Sequence, residues 1–409
     1  MKYIFCTFLF VWYSANLFAQ VDQTILDMSM ETPTLITSPD TKYSDAVRDY
    51  NMTIGIERSP GGRFWAAWVS GGDSDKGFFV IASSDDEGKT WSKPRLVIDP
   101  TEAPNGLLRR ILVGNLWTDP TGKLWLFFDQ SMGYFDGRAG DWATVCENPD
   151  AKPDANSDAN SDAKSPTWST PIRIWHGATL SKPTVLKTGE WLLPISLWNR
   201  NVINPKNMLG EAHHELDPLR GANVFVSIDQ GKTWNRQGCC VFPAFSFDEH
   251  LIIERKDDSL WMLARTGNGI MQSFSNDKGK TWTKPEPAFP HIASRFFVRR
   301  LKSGNLLFVR HGKMDEITQG RSHLTAFLSD DDGKTWKGGL VIDERREISY
   351  PDGFQHPDGR IFISYDRNRG SDAEILMASF TEEDVLAGKP VSGKTVFKHI
   401  ISKATGRKK

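Results

Sequence analysis

One octapeptide occurs four times in this chain, as Ser84-Asp85-Asp86-Glu87-Gly88-Lys89-Thr90-Trp91, Ser227 to Trp234, Ser275 to Trp282 and Ser329 to Trp336. All four copies fit Ser-x-Asp-x-Gly-Lys-Thr-Trp. The Asp and Gly suit a tight turn, and the Thr and Trp suit a strand packed beneath it. A turn plus strand restated at long intervals is what a radially repeated sheet looks like in sequence, so an all-β propeller is expected.

A second repeat sets the number of blades. Six segments carry a Gly- or Asp-centred turn before an apolar strand: Ser59 to Trp65, Asp119 to Trp125, Lys187 to Trp191, Lys256 to Trp261, Lys302 to Leu307 and His356 to Phe362. With Gly62, Gly122, Gly189, Ser259, Gly304 and Gly359 as markers, the spacing is 45 to 70 residues, room for four short strands and their loops. The reading is a six-bladed β-propeller. Two blades lack a good octapeptide. Ser165-Pro166-Thr167-Trp168 reads as the remnant of one, behind the low-complexity run Asp154 to Ala163, which has little to bury. A helix is expected only near Thr381-Glu382-Glu383-Asp384, with Thr381 as its cap.

Composition removes several function classes. The net charge of −1 gives no footprint for nucleic acid. Lys2, the apolar stretch Tyr3 to Tyr13 and then Ser14 to Gln20, which offers cleavage after Ala19, read as a secretory signal, with an apolar stretch too short to span a bilayer. The expected organisation is a signal at 1–19, a lead-in at 20–45, one propeller over 46–400 and a basic tail at 401–409, in a secreted or periplasmic protein without membrane insertion. Beyond Cys6 the cysteines are Cys146, Cys239 and Cys240, an odd number whose expected state is burial in blades. No His, Cys or carboxylate cluster has ligand spacing, so neither metal nor other cofactor is expected.

Several stretches carry chemistry. Glu249 in Phe247-Asp248-Glu249-His250 and Arg265 in Leu260-Trp261-Met262-Leu263-Ala264-Arg265-Thr266 flank one hairpin, which returns both to the same rim. Arg321 opens Arg321-Ser322-His323-Leu324, and Tyr350 stands in Ile348-Ser349-Tyr350-Pro351-Asp352-Gly353. Together with the octapeptide, called the Asp box, these stretches resemble the sialidase-like family over nearly the whole expected mature chain. That resemblance implies Tyr350 as nucleophile, Glu249 as its base, and Arg265 and Arg321 as binders of a substrate carboxylate. It puts the general acid on the loop Gly71-Gly72-Asp73-Ser74-Asp75-Lys76-Gly77, as Asp73 or Asp75. The Asp boxes it places on outer hairpins, away from the active site.

The chain departs from the family at one point. Sialidases open the first blade with an Arg-Ile-Pro stretch, and counting back from Arg58-Ser59-Pro60 puts Met52 in the arginine's slot. Methionine cannot pair with a carboxylate. Arg48, Arg58, Arg109 and Arg110 are candidate replacements, and Arg58 is taken with Arg265 and Arg321 as substrate-binding.

The functional expectation is an exo-glycosidase that releases a terminal acidic sugar, foremost sialic acid, from a glycan. A sialic acid bears a carboxylate on its anomeric carbon, which a neutral phenol can approach without the repulsion an Asp or Glu nucleophile would meet. Two alternatives stay open. One is a lyase or unusual glycosidase acting on uronate glycans, with a Tyr base or a His base drawn from His176, His213, His214, His250 and His356. The other is a non-catalytic glycan-binding propeller.

Overall fold

The computed structural model of the chain describes residues 23–101, 106–152, 165–202, 212–244 and 247–407. The expected signal at 1–19 and the run Asp154 to Ala163 lie outside the described residues. The described residues form six four-stranded antiparallel sheets, each built from consecutive strands. The first strands are Met52–Arg58, Arg109–Thr118, Thr184–Val185, Leu251–Glu254, Phe297–Arg300 and Ile348–Gln355. They neighbour one another around a common axis, making the six-bladed β-propeller that the repeats imply.

Each first strand turns into the second through the same tight turn. In blade one the Ser59 amide donates to the Arg63 carbonyl and that of Gly62 to the Ser59 carbonyl, and blades two to six repeat both bonds. The fourth residue of each turn is left-handed: Gly62, Gly122, Gly189, Asp258, Gly304 and Gly359. In blade four this residue is Asp258 (φ 66°), one position before the Ser259 that serves as the sequence marker. Asp tolerates this conformation better than most side chains.

The Asp boxes join third strands to fourth strands in blades one, three, four and five. In the first, the Ser84 hydroxyl donates to Asp86 at 2.7 Å, the Gly88 amide donates to Ser84 at 2.9 Å, and the Thr90 amide and hydroxyl donate to Asp86 at 2.9 and 2.6 Å. Each glycine is left-handed and lies on the preceding blade in the ring: a Cβ on Gly231 would sit 2.6 Å from the Trp125 ring, and one on Gly333 2.5 Å from Trp261. The box is thus a device that seats one blade on the next. Blade two keeps a divided version. Asn148 takes the aspartate's part, accepting from the Thr167 amide at 2.8 Å and its hydroxyl at 3.0 Å. Blade six replaces the box with a helix, Glu382–Ala387, capped by Thr381 as expected. A further short helix, Gln23–Asp27, corrects the expectation of a single one.

Packing lies between blades. Trp117, Trp125, Phe127, Trp191 and Phe225 fill the joint between blades two and three, where the box residue Trp234 also packs. The ring closes through the termini. Arg48 bonds Asp45 and donates to Ser402 at 2.9 Å, while the Thr405 and Gly406 amides reach the Asp45 and Arg48 carbonyls, each at 2.7 Å. The last strand, Val396–Lys403, takes in three residues that the sequence reading assigned to a basic tail. Among the described residues no helix is long and apolar enough to cross a membrane, no group of three or more His, Cys, Asp or Glu could hold a metal ion, and the cysteines Cys146, Cys239 and Cys240 are free thiols.

Candidate active site

Antiparallel connection divides the two rims by chemistry. First strands begin, second strands end and third strands begin at one rim; the hairpin turns and Asp boxes occupy the other. At the first rim, on the axis, lies a pocket of about 90 Å³. Its wall contains Glu249, Arg265, Arg321, Tyr350 and Asp73, together with Met52 and Arg369. Val113, Tyr134, Trp198 and Phe247 supply an apolar and aromatic side.

Glu249 lies two residues before its strand, and Arg265 near the end of the next. Arg265 Nη1 donates to Glu249 Oε1 at 2.8 Å, and the same oxygen accepts from the Tyr350 hydroxyl at 2.7 Å. Arg265 Nη1 is also 3.4 Å from the phenol oxygen. Burial drives the Glu249 carboxyl up, but the Arg265 guanidinium and the phenol hydrogen bond outweigh it and hold the pKa below the ordinary range. Burial and the Glu249 charge raise the Tyr350 phenol. The resting proton therefore belongs to Tyr350. The neighbouring Asp248 has the opposite environment: buried, with neither carboxylate oxygen hydrogen-bonded, it is pushed well up by desolvation. Two adjacent carboxyl groups thus sit in environments that push them in opposite directions.

Tyr350 owes its aim to a backbone irregularity. Pairing shifts register between Ser349 and Asp352, and Tyr350 adopts a left-handed φ of 56°. A bulge of this kind redirects a side chain at a cost that surrounding structure must sustain. Asp352 anchors the segment from below, where its carboxylate accepts from the Ile56 amide at 3.0 Å and faces Lys182 Nζ at 3.1 Å. Lys182 also reaches Glu57 at 3.1 Å, and Arg295 approaches Asp352 at 3.8 Å. Lys182, Arg295 and Asp352 of this network lie in the wall of a larger cavity of about 250 Å³, which has neither Tyr350 nor Glu249 in its wall.

The structure brings together four of the expected side chains, Glu249, Arg265, Arg321 and Tyr350, and adds Asp73 from the acid loop. Asp75 does not line the pocket. Arg58 is a correction: it lies with Gly61, Arg63, Asp85 and His356 around a cavity at the opposite rim, because it ends the strand that Met52 begins. The other proposed substitutes for the missing arginine are spent elsewhere. Arg48 holds the termini, Arg109 binds Glu31 at 2.7 Å, and Arg110 pairs with buried Asp129. None of His176, His213, His214, His250 or His356 lines the pocket.

Arg369 was missed. It follows the second strand of blade six, Ile361–Arg367, much as Arg265 falls near the end of the second strand of blade four. That equivalence was the available signal, but three charged or amide neighbours, Asp366, Arg367 and Asn368, make the stretch read as an ordinary polar turn. Its guanidinium carbon lies 4.1 Å from the Tyr350 ring centroid, Nε donates to Asp366 at 2.9 Å, and Nη1 is 3.6 Å from Asp73 Oδ2.

The family described as BNR repeat-like domain matches residues 62–363. A sequence comparison with curated proteins finds no match. Among solved structures, the chain is similar to a Hadza microbial sialidase, with 16% identity, a TM-score of 0.60, and coverage of 84% of this chain and 67% of that one. It is similar to the intramolecular trans-sialidase from Ruminococcus gnavus, solved in complex with oseltamivir carboxylate, at 15% identity and a TM-score of 0.60 over 88% of this chain and 99% of that one. A protein of unknown function from Dyadobacter fermentans is similar at 15% identity and a TM-score of 0.57, over 85% and 98% of the two chains.

Proposed function

We propose that this chain, which belongs to the BNR repeat-like domain family, is an exo-acting glycosidase that releases a terminal acidic sugar, foremost a sialic acid, from a glycan. One observation carries the reading: a phenol bonded at 2.7 Å to a carboxylate that an arginine holds ionised, at the wall of an axial pocket that also contains two further arginines. A carboxylate beside a phenol is a base for it. Positive charge around them suits a substrate that carries its own carboxylate near the reacting carbon.

In this mechanism Tyr350 Oη attacks the anomeric carbon while Glu249 accepts its proton. The bond to the leaving oxygen breaks as Asp73 protonates that oxygen. Because the phenol is raised and the carboxylate lowered, the proton does not move in the resting pair, and transfer has to accompany attack. A water deprotonated by Asp73 then displaces the sugar from Tyr350, and Glu249 returns the proton to the phenolate. Arg265 and Arg321 hold the substrate carboxylate. A neutral nucleophile avoids like charge at that carbon, the reason a tyrosine serves where other glycosidases use a carboxylate. Secretion by the expected N-terminal signal fits an enzyme working on extracellular glycans.

A screen of sialosides and uronate glycans with product analysis tests the reading. Hydrolysis yields a saturated acidic sugar with a free reducing centre. An unsaturated, ultraviolet-absorbing product would establish elimination instead, and binding without product would leave a recognition module.

A further inference from the structure

The proposed chemistry needs its substrate carboxylate held firmly, yet the first blade offers Met52, which is 1% exposed and has a thioether where the family's resemblance predicts a guanidinium. We propose that Arg369, from blade six, is the specificity-determining residue that supplies the missing contact; this rests on the acidic-sugar reading above. Arg369 and Met52 share the wall of the same small pocket with Arg265 and Arg321. Asp366 fixes Arg369 through Nε, and Asp366 is itself held by the Thr53 amide, 3.0 Å away, next to Met52. The guanidinium is thereby tied to the strand start from which the expected arginine is absent. Its Nη2 is buried and has no hydrogen-bond partner among the described residues. A buried donor left unbonded is costly, and a carboxylate entering the pocket would satisfy it.

Arg369 differs from a plain substitute in what else it touches. It lies on the face of the Tyr350 ring at 4.1 Å, and its Nη1 is 3.6 Å from Asp73 Oδ2. One cation therefore faces the substrate anion, the nucleophile's ring and the proton donor. Arg321 also lies over the Tyr350 ring, farther off at 5.8 Å, but it bonds Ser349 at 2.9 Å and the Ala293 carbonyl at 3.2 Å, while Arg265 bonds Glu249; the approach to Asp73 is made by Arg369.

The test is calorimetric binding to the protein of an acid, the 2,3-didehydro derivative of N-acetylneuraminic acid, and of its neutral carboxamide. Arg369→Met is expected to weaken the acid by about 10- to 100-fold and the carboxamide by less than about 3-fold, collapsing the preference for the acid. Arg369→Lys keeps the charge without the fork and is expected to fall between, which preserves the test if the methionine variant folds poorly. Equal losses for both ligands, or a preference unchanged in either variant, would overturn the assignment while leaving the acidic-sugar reading in place. A wild-type protein that binds acid and carboxamide alike would overturn both.

Discussion

Replacing Tyr350 with Phe removes one oxygen and leaves the ring between its neighbours. That oxygen donates at 2.7 Å to Glu249 and lies 3.4 Å from Arg265. Glu249 keeps its 2.8 Å bond to Arg265 in the variant, so no buried charge is stranded and the stability cost should stay near ~1–2 kcal/mol. Activity is another matter, because the atom proposed to form the covalent bond is gone: kcat/KM should fall by about 10³ or more, ~4 kcal/mol of transition-state stabilisation. Glu249→Gln alone should cost about 10²–10⁴, the usual worth of a positioned base. If the two acted independently the double variant would lose about 10⁵ or more. As a unit, it should be no worse than Tyr350→Phe, since a base has nothing to do once the hydroxyl is absent, which makes the coupling ~3–5 kcal/mol. The assay is kcat/KM for all four proteins on one fluorogenic acidic glycoside, with thermal unfolding to confirm folding. Additive losses, or near-wild-type turnover by Tyr350→Phe, would refute the nucleophile and base assignment.

Asp73→Asn should lower turnover of natural glycans by about 10²-fold but spare aryl glycosides, whose leaving groups need little protonation, whereas Asp75→Asn should change neither by more than about 3-fold; comparing the two substrate types measures this, and the reverse pattern would make Asp75 the acid. Gly231→Ala forces a side chain into a left-handed position (φ 81°) with its Cβ 2.6 Å from Trp125, so unfolding should become easier by ~2–4 kcal/mol with the pocket untouched, read from urea midpoints alongside KM. Thr233 and Thr281 bonds hold Asp229 and Asp277 of the boxes down to about 2. A depressed carboxyl stabilises the fold above its unfolded pKa, near ~4, and the contribution disappears as pH falls towards 2. The urea midpoint should therefore decline over that interval, and Asp229→Asn with Asp277→Asn should flatten the decline; an unchanged slope would count against the boxes as acid-labile elements.

Much of the architecture was legible because it depends on short-range chemistry. Gly62 and Gly122 mark turns that need a left-handed residue, and Asp86 with Thr90 closes its loop through bonds within five residues, so the repeats could be counted without any tertiary knowledge. Glu249 and Arg265 were legible for the same reason, since one hairpin separates them and its geometry returns both to one rim. Other parts of the site could not be read in this way. Tyr350 faces the axis because of a register shift and a positive φ that no residue preference announces. Arg58 looked suitable by its nearness in sequence to the Met52 slot, yet a seven-residue strand carries it to the far rim. Arg369 is 317 positions along the chain from Met52 and shares a pocket wall with it only because blade six closes against blade one. A ring brings the ends of its sequence together by closure, and closure is a property of all six sheets packing at once. Local sequence therefore determined the repeating unit and its turns, while the ring decided which arginine faces the pocket.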